Sequence, residues 1–117
     1  MSFPSPANDY IERPLDLNEL LIKKPHATFF MRVSGNAMKN AGIVENDILI
    51  IDRSLEALSG RIVVAIYETE FIVRRLIKEK NKMILYPENN FYHPLNINAE
   101  SDFEIWGVVT YVIHKSL

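Results

Sequence analysis

A chain of 117 residues, 48% hydrophobic and 24% charged, has the size and composition of one globular domain with a core of its own. Its formal net charge of −2 gives no bulk electrostatic reason to expect a nucleic-acid or membrane-surface partner. The lack of cysteine excludes disulfides, thiol nucleophiles and thiolate metal sites.

Residues 1–15 read as an extended arm. Pro4, Pro6 and Pro14 each push the preceding residue away from helical geometry, and Phe3, Tyr10 and Ile11 are the apolar side chains that could anchor it. Such an arm either stays loose, as termini do, or docks on the domain or on a partner. "MSFPSPANDY" has no basic region followed by an apolar stretch, so it is not a secretory signal. No apolar run approaches the roughly 20 residues of a membrane helix, and a soluble cytoplasmic protein is expected.

The stretch "DLNELLIKKP" predicts a short helix over 16–22. Asp16 is placed to cap it, with Glu19 completing a capping box. Leu17, Leu20 and Leu21 form one apolar face, Lys23 and Lys24 suit the negative end, and Pro25 stops it. The remainder, 16–117 being one domain, reads as mostly β. Strands are expected near 28–33, 47–52, 61–67, 70–77, 82–86 and 103–113. "DILIID" and "RIVVAIY" are nearly continuous apolar runs, as strands covered on both faces require. "YETEF" is a polar hairpin turn. "YPENNFYHPLNIN" is a loop with two prolines and four asparagines. "FEIWGVVTYVI" is a long central strand with Gly107 as a bulge or close-approach point.

One stretch has the grammar of an active-site loop. In "VSGNAMKNAGI" a strand-like run enters a tight turn, Ser34-Gly35-Asn36, followed by Ala37, Met38 and a glycine-marked loop. The order resembles the Ser-Gly-Asp/Asn-Ser-Met nucleophile loop of the LexA and UmuD group of self-cleaving serine peptidases. "FIVRRL" resembles that group's lysine-bearing strand, "AGIVENDILIID" its Gly-Ile…Gly-Asp strand entry, "LYPENNFYHPLNI" its Leu-x-Pro-x-Asn segment and "WGVV" its terminal strand. "FPSPANDYIERPLDLNELLI" places the resemblance on the UmuD branch, and the resemblance as a whole covers essentially the entire chain. The fold implied is the compact, highly curved β-sheet of the LexA/signal-peptidase type.

The resemblance further implies a Ser–Lys dyad at positions 37 and 74, and both are altered. A lysine base works only when neutral, so it needs an apolar setting that lowers its pKa. Alternation along the strand puts position 74 with Ile72 and Leu76, which is such a setting. But Ala37 has no hydroxyl, and the guanidinium of Arg74 does not deprotonate in proteins. Losing the nucleophile alone costs about a millionfold in the comparable Ser–His–Asp case. Ser34 precedes the turn and is expected to present its hydroxyl from the wrong place. His26, His93 and His114 show no metal spacing and no partner acid or serine at a recognisable motif, and no metal and no cofactor is expected. Asn46-Asp47 stands where the family commonly has Gly-Asp, and Asn tolerates the left-handed conformation that position needs. Arg61 stands where the family often has Asp.

By resemblance, then, the chain is expected to be a processed UmuD-like subunit: that branch's shortened product begins just before "FPSPA", and here Phe3 to Ala7 follow Met1 and Ser2 directly, without the cut arm. Such a subunit forms a homodimer and joins a UmuC-like Y-family DNA polymerase in error-prone translesion synthesis during the SOS response, assisted by RecA filaments. It can also pair with a full-length UmuD-like protein. The dimer or partner surface is expected among Tyr10, Ile11, Leu17, Leu20, Trp106 and Tyr111, although a tryptophan on an apolar strand is also a natural core residue. The alternative is a self-cleaving endopeptidase, active or inactivated in the laboratory by a Ser→Ala change. A third reading, direct nucleic-acid binding, rests on "RRLIKEKNK", with five basic residues and one acid. A solvated hairpin face explains that run more simply, and no strong DNA binding is expected.

Overall fold

The computed structural model describes residues 14–117. Most of the expected arm, including Phe3, Tyr10 and Ile11, lies outside the described residues.

Helix α1, Leu17–Leu21, starts where the capping signal placed it. Asp16 is extended, and its carboxylate accepts the N–H groups of Asn18 (2.9 Å) and Glu19 (3.4 Å), two of the donors a helix start leaves unpaired. At five residues α1 is too short to stand by itself. It buries no residue fully: Leu17 is 58% exposed, while Leu20 and Leu21 are half-buried.

The rest is a single antiparallel sheet of seven strands in the order β1-β2-β7-β3-β4-β5-β6. The strands are β1 Thr28–Arg32, β2 Ile48–Asp52, β3 Ile62–Tyr67, β4 Glu70–Glu79, β5 Lys82–Tyr86, β6 Leu95–Ile97 and β7 Phe103–Ile113. Six match the expected positions. β6 does not, because "PLNIN" reads as loop. Three alternating residues after a proline are too few to carry a period-2 signal. What makes them a strand is the pairing of Leu95 with Leu85 and Ile97 with Met83 at an edge of the sheet, where a preceding proline is tolerated.

The apolar runs of β2 and β3 are buried on both faces, as expected. Val64 packs with Val33, Met38, Ile43, Leu49 and Ile51 on one side, while its neighbours Val63 and Ala65 pack with Leu76, Leu85 and Val108 on the other. β7 lies between β2 and β3 and is bulged against each, at Thr110 and at Trp106. Between the bulges, Gly107 meets β2 so closely that a Cβ there would lie 2.5 Å from Ile51 Cγ2. β4 changes partner along its length, pairing with β3 through Arg75 and with β5 from Arg75 onward. Among the described residues its edge away from β3 is therefore unpaired over residues 70–74, and this is where the site forms.

Candidate functional site

The loop after β1 is positioned by bonds to its far end. Val33 N–H donates to Asp47 O (2.8 Å), and Asn46 N–H returns to Val33 O (2.9 Å). Asn46 has φ +72, the left-handed geometry its side chain type accommodates. Between these ends the chain reverses at Gly35, φ +83, and Asn36 Oδ1 accepts the N–H of Glu45 at 3.2 Å. Met38 is only 2% exposed and pins the loop in the core. A single 3-10 turn, Lys39–Ala41, closes at Gly42 in the left-handed region. Ala37 is thus placed entirely by its neighbours.

A second loop, after β5, fastens to the first. Glu88 N–H donates to Ala37 O (2.8 Å), Asn40 N–H donates to Glu88 O (2.7 Å), and Asn89 Nδ2 donates to Asn36 O (2.8 Å). Arg75 holds Glu88 in turn, Nε to Oε1 at 2.7 Å, and donates through Nη1 to Gly60 O. Sequence reasoning singled out none of Glu88, Asn89 and Tyr92 as site residues. The Leu-x-Pro-x-Asn likeness marked the segment, but the roles depend on contacts between loops some 50 positions apart, which local pattern does not encode.

Between β1, the Ala37 loop, the open edge of β4 and the second loop lies a cleft of about 440 Å³. Met31, Val33, Phe71 and Val73 give it apolar walls, and Ser34, Ala37, Arg74 and Tyr92 line it as well. Ala37 and Arg74, far apart in sequence, thus share one cleft. Ser34 lines it too. Arg74 donates through Nη1 to Val73 O (2.8 Å), and its Cζ lies 5.6 Å from the Tyr92 ring centroid. Its Nε is buried without a hydrogen-bond partner among the described residues. Burial lowers the pKa of this guanidinium, and Tyr92 partly opposes the shift. The setting is one that would make a lysine a better base. An arginine there stays charged, so β4 presents a cation and its donors to the cleft.

The remaining expected residues are dispersed. Trp106 makes edge contacts with Phe29 (5.1 Å) and Phe71 (5.6 Å) and carries Arg53 over its ring at 4.5 Å. Tyr111 is 41% exposed near the end of β7. His26 and His93 are exposed. His114 has an acid partner that no motif marked: its Nδ1 lies 2.7 Å from Oδ1 of buried Asp47, 67 positions away in sequence. Burial by itself would raise the Asp47 pKa, but bonds from Val44 N–H and His114 overcome it and hold the carboxyl below its ordinary value. Of the basic run, Arg74 and Arg75 turn to the site, while Lys78, Lys80 and Lys82 are exposed on the β4–β5 hairpin. Among the described residues, no group of three or more His, Cys, Asp or Glu could hold a metal, and no helix is long and apolar enough to cross a membrane.

A tight loop holding position 37 against a strand holding position 74, in one half-apolar cleft on a curved antiparallel sheet, is the architecture of a self-processing serine peptidase domain. The family profile described as Peptidase S24-like matches residues 1–110, and the chain belongs to that family. The family is one of self-cleaving serine peptidases, and the relatives of this chain within it are UmuD-like. It is 42% identical over 118 residues to Protein ImpA of Salmonella typhimurium, covering 97% of this chain and 77% of that protein. It is 43% identical over 110 residues to Protein MucA of Escherichia coli, covering 93% and 75%. To the LexA repressor of Shewanella halifaxensis it is 36% identical over 113 residues, 96% of this chain and 54% of the repressor.

Proposed function

We propose that this chain is a non-catalytic, UmuD-type subunit of SOS mutagenesis. It acts in the cytoplasm by protein–protein binding, with residues 1–15 as an arm and 16–117 as the peptidase-fold domain. The observation that carries the reading is the pairing of Ala37 with Arg74 in one cleft whose loop, fastening bonds and apolar walls are otherwise complete. Degrading either member of a coupled catalytic pair removes nearly all turnover, so a second change at the partner position costs no further activity. The working form is a homodimer that joins a UmuC-like Y-family polymerase, with a RecA filament assisting, and that also pairs with a full-length UmuD-like protein. The relatives ImpA and MucA, each matched over three quarters or more of their length, favour this over a repressor role.

The test is complementation. In cells lacking their own UmuD-type subunit but keeping the polymerase, expressing this chain should restore damage-induced mutagenesis without any change in its mass. The polymerase should also co-purify with it. Mutagenesis that stays at background in the presence of the polymerase, or self-cleavage on a RecA filament, would overturn the reading.

A further inference from the structure

We infer that the groove between α1 and β7 is a docking site for a partner segment that carries an apolar side chain between acidic residues. The groove shares no lining residue with the cleft of Ala37 and Arg74, so the inference stands apart from the reading of that cleft.

The floor of the groove is apolar and reachable. A short α1 that buries no residue fully leaves a space of about 610 Å³ between its C-terminal end, the segment after β2 and the middle of β7. Val108 closes the bottom at 3% exposure, Leu21 and Ile62 are half-buried, and Leu55 is 38% exposed. The volume falls in the range of roughly 300–1,000 Å³ in which proteins hold ligands. Aliphatic side chains left partly open to water at the bottom of a groove favour an apolar occupant.

The rim is basic. Lys23, Lys24, Arg61 and Arg75 line the groove against one acid, Asp52, in a chain whose net charge is −2. Arg75 is paired with Glu88, Nε to Oε1 at 2.7 Å. Asp52 is buried, and its carboxyl is held low chiefly by the Ser54 hydroxyl and in smaller part by Lys24. Lys23 and Arg61 have no carboxylate within ion-pair distance among the described residues. They donate to main-chain oxygens, Lys23 Nζ to Glu19 O at 3.2 Å and Arg61 Nη1 to Glu56 O at 2.9 Å. An ammonium has three donors and a guanidinium five, so both keep donors to spare.

These features select the occupant. Lys23 follows α1 and Arg61 precedes β3, so the two cations stand on different walls with the aliphatic floor between them. Lys23 is exposed and Arg61 is half-buried, so both are open to a ligand. Carboxylates on either side of one inserted apolar residue meet a cation each, through charge-assisted bonds. A nucleic-acid strand matches less well. Its phosphates suit the rim, but its bases stack on aromatic faces, and Leu21, Leu55 and Ile62 offer none.

Three pools of N-terminally labelled, C-terminally amidated octapeptides test the inference. The first carries one Leu or Phe between two pairs of Asp or Glu. The second replaces the acids by their amides, and the third keeps the acids but replaces the apolar residue by Ser. Binding to the purified full chain is read by fluorescence polarisation. The first pool should bind at least about tenfold more tightly than either of the others. Lys23→Gln and Arg61→Gln should each weaken it by about threefold or more, and the double variant should erase its advantage over the amide pool. Leu55→Ser should erase its advantage over the Ser pool, and Lys82→Gln, on the β4–β5 hairpin, should change nothing. Thermal melting shows that each variant is folded, and Lys23→Gln, at an exposed position, decides the matter if Arg61→Gln is not. Equal binding of the pools, no binding, or Lys23 and Arg61 variants that bind as the parent does would each overturn the inference. So would binding that appears only in Asp9→Asn/Glu12→Gln, which gives the groove to the chain's own arm. Binding that weakens as the protein is concentrated gives it to a second copy, and displacement by less oligothymidylate than unlabelled peptide gives it to nucleic acid; either result overturns the inference too.

Discussion

At the scale of single residues, Ala37 and Arg74 line one cleft whose two loops are tied together by several bonds. With the cleavage segment of a self-cleaving family member fused ahead of residue 1, the parent chain should stay intact at alkaline pH. Ala37→Ser alone should also stay intact, because Arg74 cannot accept the proton. Arg74→Lys alone should stay intact for want of a nucleophile. The double variant should cut itself, and do so below the roughly 10.4 of a free lysine, since the burial that lowers the Arg74 pKa acts on any base at that place. Electrophoresis over a pH series reads all four. Asp47 gives a second prediction. Its folded pKa lies below the unfolded value, so its contribution to stability is present above about pH 4 and disappears as pH falls through the folded pKa. Asp52, held low chiefly by the Ser54 hydroxyl, adds in the same direction. Chemical denaturation should show stability falling on acidification below about pH 4. In Asp47→Asn that slope should be shallower and the neutral-pH stability lower by about 1–3 kcal/mol.

At the scale of elements, the hairpin between β3 and β4 holds strain that the neighbouring site does not need. Glu68 and Thr69 both have positive φ, +49 and +69, as a two-residue hairpin of this hand requires. Neither is a residue that adopts it cheaply, and a β-branched threonine there is unusual. Replacing the pair by Asn-Gly should raise stability by about 1 kcal/mol or more, read as an upward shift of the melting midpoint with the denaturant slope unchanged. The hairpin was legible in "YETEF" as a polar interruption between two strands, but its hand was not. Handedness follows from the twist of β3 and β4, which only their pairing supplies. The same contrast holds for β6, which exists through Leu95 and Ile97 meeting β5, and for Gly107, legible as a close-approach point though not as the place where β7 presses on Ile51 between two bulges.

At the scale of the whole molecule, the question is which surfaces remain for partners. Trp106 is engaged within the chain by Phe29, Phe71 and Arg53, whereas Tyr111 keeps 41% of its surface exposed and Phe30 61%. Phe30 pairs with Ile50 and Ile50 with Tyr111, so the two exposed aromatics flank one buried residue across β1, β2 and β7. Aromatic residues in such a row suit an interface between copies. Tyr111→Glu should weaken dimerisation in sedimentation experiments with little change in melting temperature. Trp106→Ala should do the reverse, lowering stability by about 2–4 kcal/mol. A Tyr111→Glu protein that sediments as the parent does would count against this surface.

What the sequence determined by itself was local or motif-borne: the cap at Asp16, the doubly buried strands, the left-handed Asn46, and Ala37 and Arg74 at two positions of a family pattern. These are legible because capping, alternation and turn geometry act over a few residues, and because a motif keeps its order along the chain. Tertiary structure decided the rest. Among the described residues, it alone brought Glu88 to Ala37 and His114 to Asp47, put Arg74 beside Tyr92 with an unpartnered nitrogen, and left the edges of β1 and β4 unpaired on either side of one cleft. Those facts depend on where β4 changes partners and how two distant loops meet, and contacts across such separations leave no periodicity in the chain to read.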